Sequence, residues 1–338
     1  MLFSAIFLQY ATALAFGPKT HVDEVRGHEL RDFQLTRPFS GALSWNLCGD
    51  AFITRNKIRL TREAQSLNGS VWSKHVVKAR DWEIQVDLRV YSLSSPPADG
   101  IAIWYLDEPQ CGSAWGGPTK SSGIAVVLDT YKNTMTSDST LQSTRLFAVL
   151  NSRPFDTTLD PSTDGSSLRF NFECDLKNDV VSRQIPMAYD HTPNIKILVR
   201  YIHDELGVYY TLPLRDQVHW QYCFNVSGVF LPIDYHIGVS AATGELTSTH
   251  ELLSLRVYQL ESTHLMREPV EAPVYTELSS VIYVDKKNTF WDDFLEYVEI
   301  TIVVILATNK DGPAGEARGT ALALSMFLQR FDQLRLET

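Results

Sequence analysis

The chain lacks long hydrophobic runs, clustered basic residues and abundant cysteine, and each lack closes off a class of function. A membrane-spanning helix needs roughly 20 consecutive apolar residues. The apolar stretches 300–307 and 321–328 are far shorter, and the second runs into charge, so neither is read as a span. Lys and Arg number 30 against 40 Asp and Glu, giving a net charge of -10 with no basic patch. Nucleic acid, which requires clustered Lys and Arg, is excluded as a partner. The four cysteines show none of the paired short spacings with which cysteine holds a metal. No helical period stands out before residue 265, and there is no internal repeat.

What is present is the material of a large β-sheet core. Apolar residues make up 44% and charged residues 21% of the 338 positions, enough for a sizeable interior. Residues 82–91 alternate without a break: Trp82, Ile84, Val86, Leu88 and Val90 point one way, Glu83, Gln85, Asp87 and Arg89 the other. Period-two alternation is the signature of a strand with one face on a core, and the polar set is read as a solvated charge face. Strand-like runs recur at 101–105, 123–128, 146–150, 195–202, 208–212, 236–239 and 253–260. Turn-rich clusters such as 94–100 and 160–167 separate them. Many short strands without helices predict an antiparallel sandwich.

The ends read differently. An apolar start followed by Thr12-Ala13-Leu14-Ala15 is read as a signal peptide, residues 1–15, cut at a small-x-small site. The basic n-region of such a peptide is missing, and a plain N-terminal strand is the alternative. In the oxidising compartment that a signal implies, the cysteines are expected to pair. The sequons at Asn68 and Asn225 agree with that compartment. Residues 268–274 read as a linker, and 291–306 as an amphipathic helix, with 262–338 forming a tail without a convincing span.

The stretch Gly123-Ile-Ala-Val-Val-Leu-Asp-Thr-Tyr-Lys-Asn133 is the first with a chemical suggestion. It ends an apolar strand in Asp129, Tyr131 and Asn133, which either terminate the strand in a turn or hold something hard and polar. In order along the chain stand Leu60-Thr61, Gly69-Ser-Val-Trp72, Asp99-Gly-Ile-Ala-Ile-Trp-Tyr105, the 123–133 stretch, Gly238-Val-Ser-Ala-Ala-Thr-Gly-Glu-Leu246 and Arg256-Val-Tyr-Gln-Leu260. This series resembles the L-type (legume-like) lectins of the animal secretory pathway over residues 29–261.

The resemblance implies a concanavalin-like antiparallel β-sandwich (jelly roll), all-β, as the carbohydrate-recognition domain. It implies a Ca2+-dependent site for high-mannose N-glycans and a cargo-sorting role in the lumen of the ER, the ER–Golgi intermediate compartment and the Golgi. Homo-oligomers or other cargo-receptor subunits are further partners of that role. Matched to the family pattern, Asp129 and Asp164 give carboxylates, Tyr131 a backbone carbonyl and Asn133 an amide oxygen to the ion, the oxygen ligands calcium takes. Asn133 would also donate to the sugar. Asp99 would accept from mannose hydroxyls, Ser66 would touch the sugar, and Gly244, Glu245 and Leu246 would close over it through backbone amides. Glycine in that loop permits close approach of backbone to ligand. Cys174 and Cys223 match the family disulfide; Cys48 and Cys111 match nothing in it, and could pair, cross-link chains or stay free.

Two departures stand out. Pro161 occupies the place of a sugar-contacting His, and Glu245 stands where Asp is usual. We expect calcium binding to survive and glycan affinity to be weakened or its preference altered. A family member that has lost sugar binding and acts through protein contacts is one alternative. The other is a glycoside hydrolase using Glu83 and Asp87, although no Glu-x-Asp-x-x-Glu pattern occurs. The chain is expected not to be an enzyme.

Overall fold

In the computed structural model the described residues are 27–92, 97–133, 144–153, 157–176, 194–212, 220–261 and 270–276. All of them lie in the first of two compact units, Met1–Glu277. The expected signal peptide 1–15, the helix 291–306 and the stretch 321–328 fall outside the described residues. Among the described residues no helix is long and apolar enough to cross a membrane.

In chain order the strands are β1 (His28–Glu29), β2 (Trp45–Gly49), β3 (Phe52–Ile53), β4 (Ile58–Thr61), β5 (Asn68–Val77), β6 (Trp82–Tyr91), β7 (Gly100–Leu106), β8 (Gly123–Asp129) and β9 (Arg145–Asn151). There follow β10 (Arg169–Asp175), β11 (Ile195–Ile202), β12 (Glu205–Thr211), β13 (Gln221–Ser227), β14 (Val229–Phe230), β15 (Tyr235–Ala242), β16 (Thr249–Gln259) and β17 (Val274–Tyr275). Two large antiparallel sheets result. One is ordered β13-β12-β11-β6-β16-β4-β3, with β1 added beside β16; the other is β10-β9-β8-β7-β15-β5-β2. The sandwich expected from alternation is the fold observed.

The apolar set of β6 fills the space between the sheets. Trp82, Ile84, Val86, Leu88 and Val90 join Ile103 and Tyr105 of β7 and Ile124, Val126 and Leu128 of β8 in one cluster. Fully burying each such aliphatic side chain is worth about 1.5–3 kcal/mol. The Trp82 and Tyr105 rings, with centroids 4.8 Å apart, tie one sheet to the other. A second apolar layer covers the opposite face of the seven-stranded sheet: Trp72, Trp104, Trp115, Phe147, Val149 and Leu159. Strands β7 and β8 are therefore buried on both faces. That is why Ile-Ala-Val-Val-Leu reads as a continuous apolar run and not as alternation.

Two expectations change here, and one alternative left open is settled. The polar face of β6 is not solvated: Glu83 is fully buried and Arg89 nearly so. Glu83 is matched by Arg200 of β11, whose Nε donates at 2.8 Å, and by Gln85 Nε2 at 2.6 Å. A charge can be sequestered where a hydrogen-bonded counter-charge meets it, and the partner lay more than a hundred residues away in the sequence. The stretch read as linker is not all linker. Its end forms β17, paired with β14, and Tyr275 packs edge-on against Phe170 at 4.9 Å. The cysteines left open are joined as Cys48–Cys111, while Cys174–Cys223 bond as the resemblance implied. The second bridge links β10 to β13 and so fastens the edge of one sheet to the edge of the other. Of the two sequons, Asn225 lies in β13 with its amide nitrogen bonded to the Glu205 carboxylate.

Candidate functional site

Strand register builds the site. Gly100 of β7, Asp129 of β8 and Arg145 of β9 are direct partners across three neighbouring strands. Side chains alternate, so Ala125, Val127 and Asp129 share a face, as do Arg145, Phe147 and Val149. The apolar members of both sets sit in the second apolar layer. The charged members stand at its rim as a cross-strand pair, a favourable arrangement for opposite charges.

Asp164 reaches the same point from a different direction. A short 3-10 turn, Pro161–Thr163, starts at Asp160, whose carboxylate accepts from Ser162 N at 2.9 Å. Proline suits the first position of such a turn because no N–H is needed there. The turn ends on Asp164 at φ 54 and Gly165 at φ 64. Aspartate is one of the few side chains that tolerates the left-handed region.

Around Asp129 and Asp164 the structure assembles a compact polar group. Both carboxylates are buried. One guanidinium nitrogen of Arg145, Nη2, donates to Asp129 Oδ2 and, at 2.9 Å, to Asp164 Oδ2. Asp129 Oδ1 accepts from Tyr131 N at 3.1 Å, and Asp164 Oδ1 from Asn133 N at 3.1 Å and Asn133 Nδ2 at 3.0 Å. Asn133 Nδ2 also reaches the Pro161 carbonyl at 2.9 Å. Burial pushes the Asp129 carboxyl up to about 7, with Arg145 pulling it down and the charge of Asp164 pushing it further up. Burial would lower the Arg145 guanidinium, but the two carboxylates hold it above its ordinary value.

The sugar-facing candidates form an adjoining cluster. The Asp99 carbonyl accepts from Thr130 N and Thr130 Oγ1, both at 3.0 Å, so Asp99 is anchored directly to the residue after Asp129. Its N–H donates to the Ala242 carbonyl at 3.1 Å, which carries it to the start of the 243–248 loop. There Gly244 faces the Asp99 carboxylate so closely that an added Cβ would lie 3.3 Å from both oxygens. Ser66, at φ 56, donates its N–H to the Gly244 carbonyl at 3.1 Å, and Gln65 Nε2 donates to the Glu245 carbonyl at 2.9 Å. Ser66 and Glu245 are exposed, and Leu246 is half-buried. The Asp99 side chain itself meets no protein donor among the described residues. Burial alone raises its carboxyl to about 6.

Every expected site residue is thus brought to one end of the seven-stranded sheet, with two differences in detail. The Asn133 amide nitrogen, expected to face a sugar hydroxyl, is bonded to Asp164 and Pro161, because two acceptors are set in front of it. Arg145 was not anticipated at all. Its signal was faint: the run 146–150, extended back by one residue, puts an Arg in phase with Phe147 and Val149. Only register places it opposite Asp129. As arranged, these residues do not fit a calcium ion. Calcium takes about 6–8 oxygen ligands, and here the point that both carboxylates address is filled by a nitrogen cation. Among the described residues no three His, Cys, Asp or Glu side chains converge as a metal group.

The carboxylates weighed for glycoside hydrolysis lie elsewhere. Glu83 and Asp87 belong to β6, in the sheet opposite the one that carries Asp99 and Asp129. Glu83 is bound up with Arg200, and burial raises Asp87 to about 6 against the pull of Lys196 and Arg89.

Known proteins resemble this chain in sequence and fold. The model of the legume-like lectin family matches residues 26–267. VIP36-like protein from Bos taurus is 28% identical over 256 residues, 73% of this chain and 68% of its own. Vesicular integral-membrane protein VIP36 from Homo sapiens is 30% identical over 247 residues, 70% of this chain and 64% of its own. The crystal structure of the VIP36 exoplasmic/lumenal domain in its Ca2+/Man3GlcNAc-bound form superposes with a TM-score of 0.64 at 28% identity, covering 74% of this chain and all of that one. With the sandwich and the sequence in agreement over most of its length, the chain belongs to the legume-like lectin family.

Proposed function

We propose that this protein binds high-mannose N-glycans at the Asp99 cluster and serves as a sorting receptor for glycoproteins in the early secretory pathway. The observation that carries this reading is the Asp99 carboxylate, half-buried, without a protein donor among the described residues, and facing the backbone of Gly244. A buried polar group normally has a partner. A carboxylate held ready without one is suited to accept from sugar hydroxyls, and charge makes those bonds the stronger kind. Gly244 faces this carboxylate, and Ser66 and Gln65 hold the backbone of Gly244 and Glu245 beside it. The likeness to a mannose-bound VIP36 domain supports the choice of sugar. The secretory compartment is supported by the name of the vesicular relative and by two disulfides. The same likeness would make binding calcium-dependent, and the seating of Arg145 opposes that.

A second reading has an observation of its own. Pro161 stands where a sugar-contacting His was expected, and its carbonyl draws the Asn133 amide inward. On this reading the domain retains the fold and acts through protein contacts, with no acid–base chemistry in either case. A glycan array probed with the full chain separates the two. Selective retention of mannose-terminated glycans, lost on competition with free mannose, supports the lectin. An array blank for every glycan, from protein that melts cooperatively, supports the second reading.

A further inference from the structure

We infer that the Arg145 guanidinium is a built-in cation that takes the place of calcium, so that this site is organised without metal. The inference deepens the proposed glycan site and rests on that reading only for its consequence in binding. Three features carry it. The first is position: Arg145 is the register partner of Asp129, so the β8–β9 pairing itself delivers the charge to the carboxylate. The second is bridging: a single nitrogen, Nη2, serves Oδ2 of both Asp129 and Asp164, which join the strand end to the 161–165 turn. One point of positive charge thus holds two chain segments together, as a bound ion would. The third is seclusion: Arg145, Asp129 and Asp164 are each no more than 4% exposed.

Two carboxylates buried together repel, and each resists leaving water unless a cation compensates. A covalently attached guanidinium supplies that cation at all times and in fixed number. An incoming divalent ion would have to expel it into the apolar layer beside Phe147, over whose ring its Cζ already lies at 5.7 Å. Beyond the pair, Nη1 approaches Glu173 at 3.7 Å, so the guanidinium is also tethered from β10. Asn133, hydrogen-bonded to Asp164 by both backbone and side chain, inherits its position from this arrangement.

The test is made on the full chain. A ligand that binds only the native state raises the melting temperature with its concentration. The melting temperature is therefore expected to be the same in EGTA and in millimolar calcium, and equilibrium dialysis with radiolabelled calcium is expected to show no stoichiometric binding at the site. A rise of several degrees with calcium, or one equivalent bound and lost in Asp129→Asn, overturns the inference. Arg145→Ala is expected to melt lower than wild type in EGTA, and Arg145→Lys, which retains a cation, in between. An Arg145→Ala protein as stable as wild type in EGTA overturns the organising role. Should Arg145→Ala not fold, the Lys variant and the wild-type melts decide. Glycan binding read in parallel keeps the two readings apart. Binding seen only with calcium sinks this inference and leaves the lectin, whereas no glycan binding with calcium-indifferent melting sinks the lectin and leaves this inference.

Discussion

Replacing Asp99 by Asn separates recognition from stability. The amide has the shape of the carboxylate, keeps one acceptor oxygen, and removes the charge. In the folded protein the Asp99 carboxyl is raised to about 6 from an ordinary 3.8 by burial. The sign follows directly. Between those values the native state holds a proton that the unfolded chain has released, so the wild type loses stability as pH rises from about 4 to about 6. Above that range the ionised carboxylate is a standing cost to the fold. Asp99→Asn should therefore melt like wild type near pH 4 and at least as high, or higher, at pH 7. Binding should move the opposite way. The loss of one charge-assisted hydrogen bond, about 1.5–3 kcal/mol, corresponds to roughly a 10- to 150-fold fall in glycan affinity. Differential scanning calorimetry at the two pH values, with glycan titration at neutral pH, reads both quantities. A variant that binds as wild type does would refute the assignment of Asp99 as the acceptor. A variant that loses binding together with stability would show the carboxylate to be structural.

Other consequences are as direct. Glycan affinity of the wild type should fall as pH drops through about 6, approaching tenfold per unit below it, and Asp99→Asn should flatten the profile; a wild-type profile flat from pH 5 to 7.5 contradicts this. Gly244→Val would push a branched side chain at the Asp99 oxygens, which already lie 3.3 Å from where a Cβ would stand. Surface plasmon resonance on immobilised mannose glycan should show binding abolished while circular dichroism stays unchanged, and retained affinity would remove Gly244 from the site. Double substitution of Cys174 and Cys223 by Ala opens a bridge spanning 49 residues. In the chain-entropy model that costs about 4 kcal/mol. Urea unfolding measures it, and a loss below about 1 kcal/mol would mean that the edge strands β10 and β13 are held together by other contacts.

How much of this could be read from the sequence depended on distance along the chain. The strand at 82–91 was legible because alternation is local, and its apolar face lies where the pattern put it. Its polar face reads as solvated in the sequence because Arg200, which neutralises Glu83, lies 117 residues away in a strand whose pairing with β6 no local pattern reveals. Sequence pattern distinguishes two faces but does not reveal that a sheet is covered on both. The candidate site was legible only through motif order. Asp129, Asn133 and Asp164 are linked in the sequence only by a resemblance that spans the loops between them; in the structure Asn133 donates to Asp164, and Arg145 joins both carboxylates. Arg145 escaped because no motif includes it. Its significance arises from the one-residue register that sets it opposite Asp129, and register is invisible until β8 and β9 are paired. Pro161 is legible in the sequence as a departure from the family pattern, but its effect on Asn133 is not. Its carbonyl gives Asn133 an internal acceptor, which no side-chain comparison would suggest.

The measurement that bears most directly on the central claim is an isothermal titration of the full chain with a high-mannose oligosaccharide, performed in EGTA and repeated with Asp99→Asn. The account predicts saturable binding in EGTA that is competed by free mannose and strongly weakened in the variant. No binding in either EGTA or calcium, or binding untouched by loss of the Asp99 charge, would contradict it.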